Sequence, residues 1–397
     1  MKYYPLFFFL LFMCTSSCKE QVVDNLKIEP KLSITGNSLL EGDEGNSTIE
    51  VTVRLSGEYE GKVSVDYETL TESAFRGLDF EYQNATLEFT APESEKIISI
   101  KVIADQIKEG NEEFVVALSS PTNAEIETSR ATVLIKNDDD QELALPVEGY
   151  STPTAYEGFE LVWADEFEGE AVNEEDWTFE IGNGNNGWGN NELEYYTDRP
   201  ENVRIENGQL IIEAREESFG GFPYTSTRMK TQDKRIFQFG RIDIRAKLPK
   251  GQGIWPALWM LGNDISSVSW PACGEIDIVE LVGHEPKTIH GTAHWGSNFS
   301  NHKFKGASYS IGEDFSDRFH VFSIQWKQGV IYWYINDILY YSFSTQQAQG
   351  QPYPFNDQFF FLFNVAVGGN WPGRPDATTF FPQQMIVDYV RVFQEEK

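Results

Sequence analysis

Segments in which apolar and polar residues alternate recur along almost the whole chain, with turn residues between them. Examples are S-T-I-E-V-T-V-R-L near the N-terminus, R-I-D-I-R-A-K-L in the middle and M-I-V-D-Y-V-R-V-F near the end. Successive side chains of a β-strand point to opposite faces, so this period of two predicts half-buried strands. No convincing amphipathic helix interrupts the pattern. The chain is therefore predicted to be all-β and built from stacked antiparallel sheets.

The length of 397 residues suggests two domains. Short strands at close spacing predict a β-sandwich over 31–140, and longer strands predict a second sandwich over 158–397. Residues 141–157 contain Pro146, Gly149 and Pro153 and are predicted to be a linker. We therefore expect a fragment that starts near residue 155 to fold without the N-terminal sandwich.

The first 30 residues carry an export signal. A basic start at Lys2 precedes nine apolar residues, 6–14, a run that suits a signal peptide and is too short to span a bilayer. The following T-S-S-C resembles a bacterial lipobox, which implies lipidation of Cys18 after removal of 1–17, with 18–30 as a tether. Ordinary secretion is the alternative. The expected location is the outer membrane or cell surface of a bacterium, with Cys273 as the remaining free thiol and no disulfide.

The formal net charge of −31, from 31 basic and 62 acidic residues, limits the partners. A surface this negative repels nucleic acid and anionic lipid headgroups. It does not repel a neutral polysaccharide.

Residues 274–280, G-E-I-D-I-V-E, place three carboxylates within six positions of a predicted strand. Glu275 and Asp277 share a face, whereas plain alternation would send Glu280 to the other face. A β-bulge at 278–279 would restore Glu280 to the acidic face. The two glutamate carboxyls could then approach to about 5–6 Å, which fits the separation of about 5–5.5 Å that a retaining glycosidase requires.

A solvated acidic edge strand is the alternative interpretation of this segment. Its neighbours are too apolar for an exposed edge, namely Ile276, Ile278, Val279, Leu281 and Val282. Clustered carboxylates cannot all ionise, so one of them is expected to stay protonated as a general acid. The residues alone do not say which one.

This motif resembles the E-x-D-x-x-E signature of glycoside hydrolase family 16, in its bulged, laminarinase-type form. The resemblance continues through L-V-W-A-D-E-F, G-W-G-N-N-E-L-E-Y-Y-T, Y-T-S-T-R-M, G-I-W-P-A-L-W-M-L, H-G-T-A-H-W and V-D-Y-V-R-V. It implies that Glu275 is the nucleophile, that Asp277 tunes it and that Glu280 is the general acid/base. It also implies a β-jelly roll (concanavalin A-like sandwich) with the motif strand central in a concave sheet.

The same resemblance implies a set of substrate-binding and metal residues. Sugar contacts are expected from Asn191, Glu192, Arg228, Trp255, Trp259, His294 and Trp371, although core packing is the alternative for a single Trp and a buried His. A structural Ca²⁺ is expected at Asp388 with backbone carbonyls of Glu168 and Gly208. No His/Cys cluster suggests a catalytic metal.

The N-terminal sandwich resembles a Calx-β domain, with an immunoglobulin-like fold, through G-L-D-F-E-Y and I-A-D-Q-I-K-E-G-N-E-E-F. Its acids fall where that family can bind calcium, namely Asp79, Asp105, Glu109, Glu112 and Asp138–Asp140, although Gln106 and Lys108 stand where more acids are usual. Solvated loop acids are the alternative. The domain is expected to be a spacer or adhesion module.

The sequence therefore predicts a monomeric, retaining endo-β-1,3-glucanase (laminarinase) that acts on β-1,3-glucan. One alternative is a family 16 hydrolase of mixed-linkage β-1,3-1,4-glucan or of a galactan such as agarose. The other is a non-catalytic glucan-binding lectin or receptor, which would lack one of the acids.

Overall fold

The structure is a computed structural model that describes Met1 and residues 29–139, 148–348 and 350–396. The predicted signal peptide after Met1, Cys18, nearly all of the tether, Asp140 and the first part of the linker lie outside the described residues. Strands dominate both sandwiches, which confirms the all-β prediction. No helix among the described residues is long and apolar enough to cross a membrane.

Nine strands form the N-terminal domain: β1 (Lys31–Thr35), β2 (Ser38–Leu40), β3 (Asn46–Ser56), β4 (Lys62–Thr71), β5 (Asn84–Thr90), β6 (Glu95–Ile103), β7 (Glu112–Thr122), β8 (Glu125–Thr128) and β9 (Arg130–Lys136). They make a four-stranded sheet in the order β6-β3-β1-β8 and a five-stranded sheet in the order β2-β9-β7-β4-β5. In β3, Ile49, Val51 and Val53 are buried while the residues between them are more exposed. The predicted period of two thus fills the core of this sandwich.

Seventeen strands follow: β10 (Phe159–Asp165), β11 (Thr178–Phe179), β12 (Glu194–Tyr196), β13 (Val203–Glu206), β14 (Gln209–Phe219), β15 (Phe222–Ser226), β16 (Arg228–Lys230), β17 (Gly240–Lys247), β18 (Ile254–Gly262), β19 (Glu275–Glu280), β20 (Thr288–Trp295), β21 (Lys303–Ser310), β22 (His320–Lys327), β23 (Val330–Ile335), β24 (Ile338–Ser344), β25 (Phe359–Val367) and β26 (Gln383–Glu395). The helical pieces are one short helix, α1 (Ile265–Val268), 3₁₀ turns at Phe299–Asn301 and Pro354–Asn356, and a kinked turn at Gly187–Asn191.

Two large sheets make the C-terminal domain. One has ten strands along the path β12-β15-β14-β26-β17-β22-β23-β24, with β10 on β26 and β13 on β14, and the other has seven in the order β11-β16-β25-β18-β19-β20-β21. Their facing side chains share one core that includes Ile276, Ile278 and Trp333. The motif strand β19 lies inside the seven-stranded sheet, paired on both sides, as the sequence predicts.

The two domains pack against each other. The buried ring of Phe75 lies 5.0 Å from the ring of Tyr156 and 4.9 Å from that of Phe159. Arg76 donates to the Gly158 carbonyl at 2.6 Å, and the Tyr334 hydroxyl donates to the Ser73 carbonyl at 2.8 Å. The described part of the predicted linker, 148–157, also contacts the C-terminal domain, for example where the Tyr150 N–H bonds to the Phe319 carbonyl. Because Tyr156 of the same segment contacts Phe75, residues 148–157 take part in the contact between the two domains.

Candidate active site

The predicted β-bulge is present in β19. On one side Leu258 pairs with Val279 while the next residue, Trp259, pairs with Asp277. On the other side Asp277 pairs with Thr292 and Glu280 pairs with His290, so three steps on β19 match two on β20. The extra residue rotates Glu280 onto the face that carries Glu275 and Asp277.

Gly274 permits the entry into this strand. Its φ is +82°, a backbone conformation that side chains with a Cβ rarely adopt. A Cβ there would also meet Pro354 Cγ at 2.7 Å and Phe359 Cζ at 2.9 Å. The turn before Glu275 therefore requires glycine for both reasons.

All three motif acids line one cavity of about 880 Å³ on the face of the seven-stranded sheet, here called the cleft. Each glutamate accepts one indole hydrogen bond: Trp270 Nε1 donates to Glu275 Oε2 and Trp255 Nε1 donates to Glu280 Oε1, both at 3.0 Å. The Asp277 carbonyl accepts from Trp333 Nε1 at 2.9 Å across the core. The acids are thus held in place by residues of three other chain segments: the loop before β19, β18 and β23.

Burial and mutual repulsion raise the proton affinities of both glutamates. Burial, with the charge of Asp277, raises the pKa of Glu275 to about 7, although His294 and Trp270 lower it. Burial and the same charge raise the pKa of Glu280 well above its ordinary value. Burial therefore favours the protonated form of Glu280, which is the form that a general acid needs.

His294 supplies positive charge to the acid cluster. Its Nε2 lies 3.2 Å from Asp277 Oδ2, an ion pair without hydrogen-bond geometry, and 3.8 Å from Glu275 Oε1. Burial alone would lower the pKa of His294, but the charges of Glu275 and Asp277 raise it to about 9. One ligand atom from each of Glu275, Asp277 and His294 lies within 4.8 Å of the other two, a spacing at which three such groups could hold a metal ion. The imidazolium already compensates the carboxylates there.

Six of the seven predicted substrate-binding residues line the cleft, namely Glu192, Arg228, Trp255, Trp259, His294 and Trp371. Asn191 does not; its amide donates to Asn370 Oδ1 at 2.8 Å, while its neighbour Asn190 faces the cleft. Arg228 is fixed by an ion pair to Glu180 at 2.6 Å and lies over the ring of Trp259. A role in sugar binding remains a prediction for all seven residues.

Several aromatic and polar side chains of the cleft were not predicted from the sequence, namely Trp188, Trp270, His290, Phe299, His302, Phe304 and Asn364. Trp188 stands inside a quoted motif, and Trp270 stands five positions before Glu275. Alternation could not reveal either one, because both lie outside strands. Phe299 and His302 lie in the β20–β21 connection, which carries no periodic signal.

The three residues predicted for a structural calcium, Glu168, Gly208 and Asp388, line a second cavity of about 400 Å³. Asp388 Oδ2 forms an ion pair with Arg245 Nη1 at 2.7 Å, so one of its oxygens already faces a cation. Backbone and carboxylate oxygens at one cavity suit Ca²⁺, which takes six to eight oxygen ligands. Glu168, Gly208 and Asp388 can therefore hold the ion, although Arg245 would compete with it for the Asp388 carboxylate.

In the N-terminal domain, carboxylate oxygens of Asp79, Glu109 and Glu112 lie within 4.8 Å of one another. Burial, followed by the charges of Asp79 and Asp105, raises the pKa of Glu109 to about 10. Asp138 accepts from the Gly42 N–H at 2.9 Å in the neighbouring loop. The predicted calcium-binding acids Asp79, Glu109 and Glu112 therefore come together in space, and a bound cation would relieve the repulsion between their carboxylates.

Residues 189–391, about half of the chain, match Glycosyl hydrolases family 16, and residues 33–139 match the Calx-beta domain. Residues 96–271 also match Beta-glucan synthesis-associated protein SKN1/KRE6/Sbg1, a stretch that ends before Glu275.

Relatives and solved structures agree with the match to Glycosyl hydrolases family 16. The chain is 43% identical over 252 residues to the Beta-glucanase of Rhodothermus marinus, which covers 59% of the chain and 85% of that relative. It is 39% identical to the Clotting factor G alpha subunit of Tachypleus tridentatus over 60% of the chain, but spans only 34% of that protein. The laminarinase catalytic domain from Thermotoga maritima superposes with a TM-score of 0.57 and 49% identity, over 61% of this chain and 100% of that one. With the bulged acid strand in place, the chain belongs to glycoside hydrolase family 16 and carries an N-terminal Calx-beta domain.

Proposed function

We propose that the protein is a retaining endo-β-1,3-glucanase (laminarinase). One observation carries this proposal: the bulge in β19 brings Glu275 and Glu280 into one cleft, where burial raises the pKa of both. A hydrolase that retains configuration needs such a pair, one carboxylate and one carboxylic acid flanking the bond. The similarity to a solved laminarinase domain supports the β-1,3 linkage.

In the first step the Glu275 carboxylate attacks the anomeric carbon. The bond from that carbon to the glycosidic oxygen breaks as Glu280 gives its proton to the leaving oxygen. Trp270 holds the attacking carboxylate, and the charge of His294 favours its ionised form. The products of this step are a glycosyl ester on Glu275 and a shortened glucan chain.

In the second step Glu280, now a carboxylate, takes a proton from water. The resulting oxygen attacks the anomeric carbon and releases Glu275, so two inversions return the β configuration. Asp277, buried between the glutamates, keeps the pKa of both raised, which favours recovery of the proton by Glu280. The hydrogen bond from Trp255 orients Glu280 in both steps.

The cleft suits a neutral sugar chain. Five indole rings, those of Trp188, Trp255, Trp259, Trp270 and Trp371, line it, and such rings can pack against the C–H faces of sugars. Glu192 and Arg228 add hydrogen-bonding groups. The net charge of −31 disfavours sulfated or uronic polysaccharides relative to a glucan.

Product analysis on pure polysaccharides tests the proposal. Laminarin should be cleaved faster than mixed-linkage β-1,3-1,4-glucan or agarose, with oligosaccharides of several lengths released early. Proton NMR during the first turnovers should show the β-anomer before mutarotation. Early α-anomer would mean inversion, and a preference for either rival polymer would replace the β-1,3 assignment.

A glucan-binding module without hydrolysis is the rival from another class. The three acids in one cleft disfavour it, because a lectin gains nothing from a buried proton donor. Binding of laminarin by the wild type without release of reducing ends would establish the rival.

We also propose that calcium binds at the Asp388 cavity and at the acid loops of the N-terminal domain. Support comes from the shared cavity of Glu168, Gly208 and Asp388 and from the clustered oxygens of Asp79, Glu109 and Glu112. Calorimetry with Ca²⁺ on wild type, Asp388→Asn and Asp79→Asn should show two classes of site, each lost in one variant. Identical isotherms for all three proteins would exclude both sites.

For location and assembly we propose a monomer attached to a bacterial membrane by a lipid on Cys18. The apolar run followed by T-S-S-C supports the anchor. Cys18→Ala should move the protein to the soluble fraction without loss of activity, and equal membrane association would exclude lipidation as the tether. A single monomer mass in light scattering of the soluble variant would support the assembly.

A further inference from the structure

His302 contacts two of the residues that surround the catalytic carboxylates. It follows the Phe299–Asn301 turn and immediately precedes β21. Its Nε2 lies 2.9 Å from Nδ1 of His294, and the two rings are nearly parallel, with 7° between their planes. Its ring centroid also lies 4.5 Å from that of Trp270.

The two neighbours of His302 face the two oxygens of the nucleophile. His294 Nε2 is 3.8 Å from Glu275 Oε1, and Trp270 Nε1 donates to Glu275 Oε2 at 3.0 Å. One side chain from a loop therefore supports both groups that orient Glu275.

The charges of the imidazole pair define the direction of its hydrogen bond. His294, with a pKa raised to about 9, carries protons on both nitrogens near neutral pH. Burial and the charge of His294 lower the pKa of His302, so His302 is neutral and accepts at Nε2. The groups that face this pair electrostatically are Glu275, Asp277 and Glu280 on the side of His294, and Lys303 on the side of His302.

We propose that His302 is a positioning residue for hydrolysis: it accepts the Nδ1–H bond of His294 and packs on Trp270, and so fixes both partners of Glu275. The proposal rests on the assigned nucleophile. Without the acceptor, the charged Nδ1–H of His294 would be buried and unpaired, which favours rotation or deprotonation of the ring. Either change would remove the positive charge from its place beside Glu275 and Asp277.

Three variants separate the hydrogen bond from packing. His302→Phe keeps an aromatic ring against Trp270 but has no acceptor, whereas His302→Gln restores an acceptor. His284→Phe is the matched control, because His284 is exposed and does not line the cleft. Each full-length variant is assayed on laminarin for kcat and KM, and its His294 pKa is followed by ¹⁵N NMR of labelled histidines.

For His302→Phe we expect kcat to fall about tenfold to a hundredfold, the loss typical of a misplaced catalytic group, with KM within about twofold of wild type. The pKa of His294 should fall in the same variant. His302→Gln should recover most of the kcat and most of the pKa of His294, and His284→Phe should match wild type. Unchanged kcat and His294 pKa in His302→Phe, or equal losses in the Phe and Gln variants, would overturn the proposal.

A second measurement needs neither a variant nor an activity assay. At pH 7 the ¹⁵N spectrum of the wild type should show His294 doubly protonated and His302 neutral with its proton on Nδ1. A charged His302 beside a neutral His294 would overturn the proposal even in a fully active enzyme. A wild type that does not cleave laminarin would instead refute the proposed function, while the NMR result would still report on the pair.

Discussion

Trp255 Nε1 donates a hydrogen bond to Glu280 Oε1 at 3.0 Å, from the strand β18 that pairs with the acid strand. The sequence predicts Trp255 as a sugar-binding residue, and its ring does line the cleft. Its polar atom, however, is committed to the general acid/base. The bond lowers the pKa of Glu280 against the burial that raises it, so this tryptophan also tunes the proton donor.

Trp255→Phe should shift the alkaline side of the pH–rate profile. The change keeps an aromatic ring but removes the donor, so the pKa of Glu280 rises and the alkaline limb of kcat/KM moves to higher pH. We expect kcat/KM at neutral pH to fall about tenfold, which corresponds to about 1.4 kcal/mol of lost transition-state stabilisation. Trp259→Phe is the comparison, because Trp259 Nε1 donates to Asn364 instead. The same alkaline shift in both variants would contradict a specific role for Trp255.

Glu275→Gln should abolish turnover and leave binding. The amide has nearly the shape of the carboxylate but cannot attack the anomeric carbon, so kcat should fall by at least about 10⁴-fold. Laminari-oligosaccharide affinity, measured by calorimetry, should stay within about fivefold of wild type because the aromatic and polar lining is intact. Glu160→Gln, on the exposed face of β10, is the control and should be fully active. Turnover near wild type in Glu275→Gln would exclude this residue as the nucleophile.

His294→Gln should shift the acidic side of the profile. Glu275 must be ionised to attack, so activity appears as pH rises through its pKa of about 7. The charge of His294 lowers that pKa, and its removal should raise the pKa and move the acidic limb of kcat/KM to higher pH. Activity at pH 6 should therefore fall more than activity at pH 8. An acidic limb that stays in place or moves to lower pH would show that His294 does not stabilise the ionised nucleophile.

Phe75→Ala should loosen the contact between the domains. The ring is buried against Tyr156, Phe159 and Phe393, and Phe→Ala changes in such cores cost about 3–5 kcal/mol. We expect a lower unfolding temperature by calorimetry and the appearance of two separate transitions. Phe380→Ala, at an exposed ring, should leave the unfolding trace unchanged.

A fragment that begins at residue 148 extends this experiment. It keeps the described part of the predicted linker but lacks Phe75. In the full chain the guanidinium carbon of Arg241 lies 4.8 Å from the centre of the Phe75 ring, so the fragment exposes Arg241. The fragment should remain active on laminarin, since no described residue of the N-terminal domain lines the cleft, yet it should unfold at a lower temperature than the full chain. A fragment with the thermal stability of the full chain would show that the interdomain contact contributes nothing.

Local patterns carried much of the prediction. Period-two alternation identified strands in both sandwiches, because the direction of a side chain on a strand depends on its immediate neighbours alone. The same rule placed Glu275 and Asp277 together, and the mismatch at Glu280 predicted the bulge that the pairing of Asp277 and Glu280 with β20 confirms. The family resemblance supplied the roles of the acids, which the residues alone left open.

Only the tertiary structure decided which groups surround those acids. Trp270 and His302 come from loops, where no period links position to direction, and Phe75 contacts Phe159 across 84 positions of sequence. The raised pKa values of Glu275 and Glu280 likewise follow mainly from burial, and the charge of His294 on a neighbouring strand lowers both, so neither effect is local. The sequence by itself determined the strands, the acid motif and its bulge, because these depend on adjacent residues. The burial of the acids, the indole donors and the interdomain contact depend on distances between remote segments, and only the folded chain defines those distances.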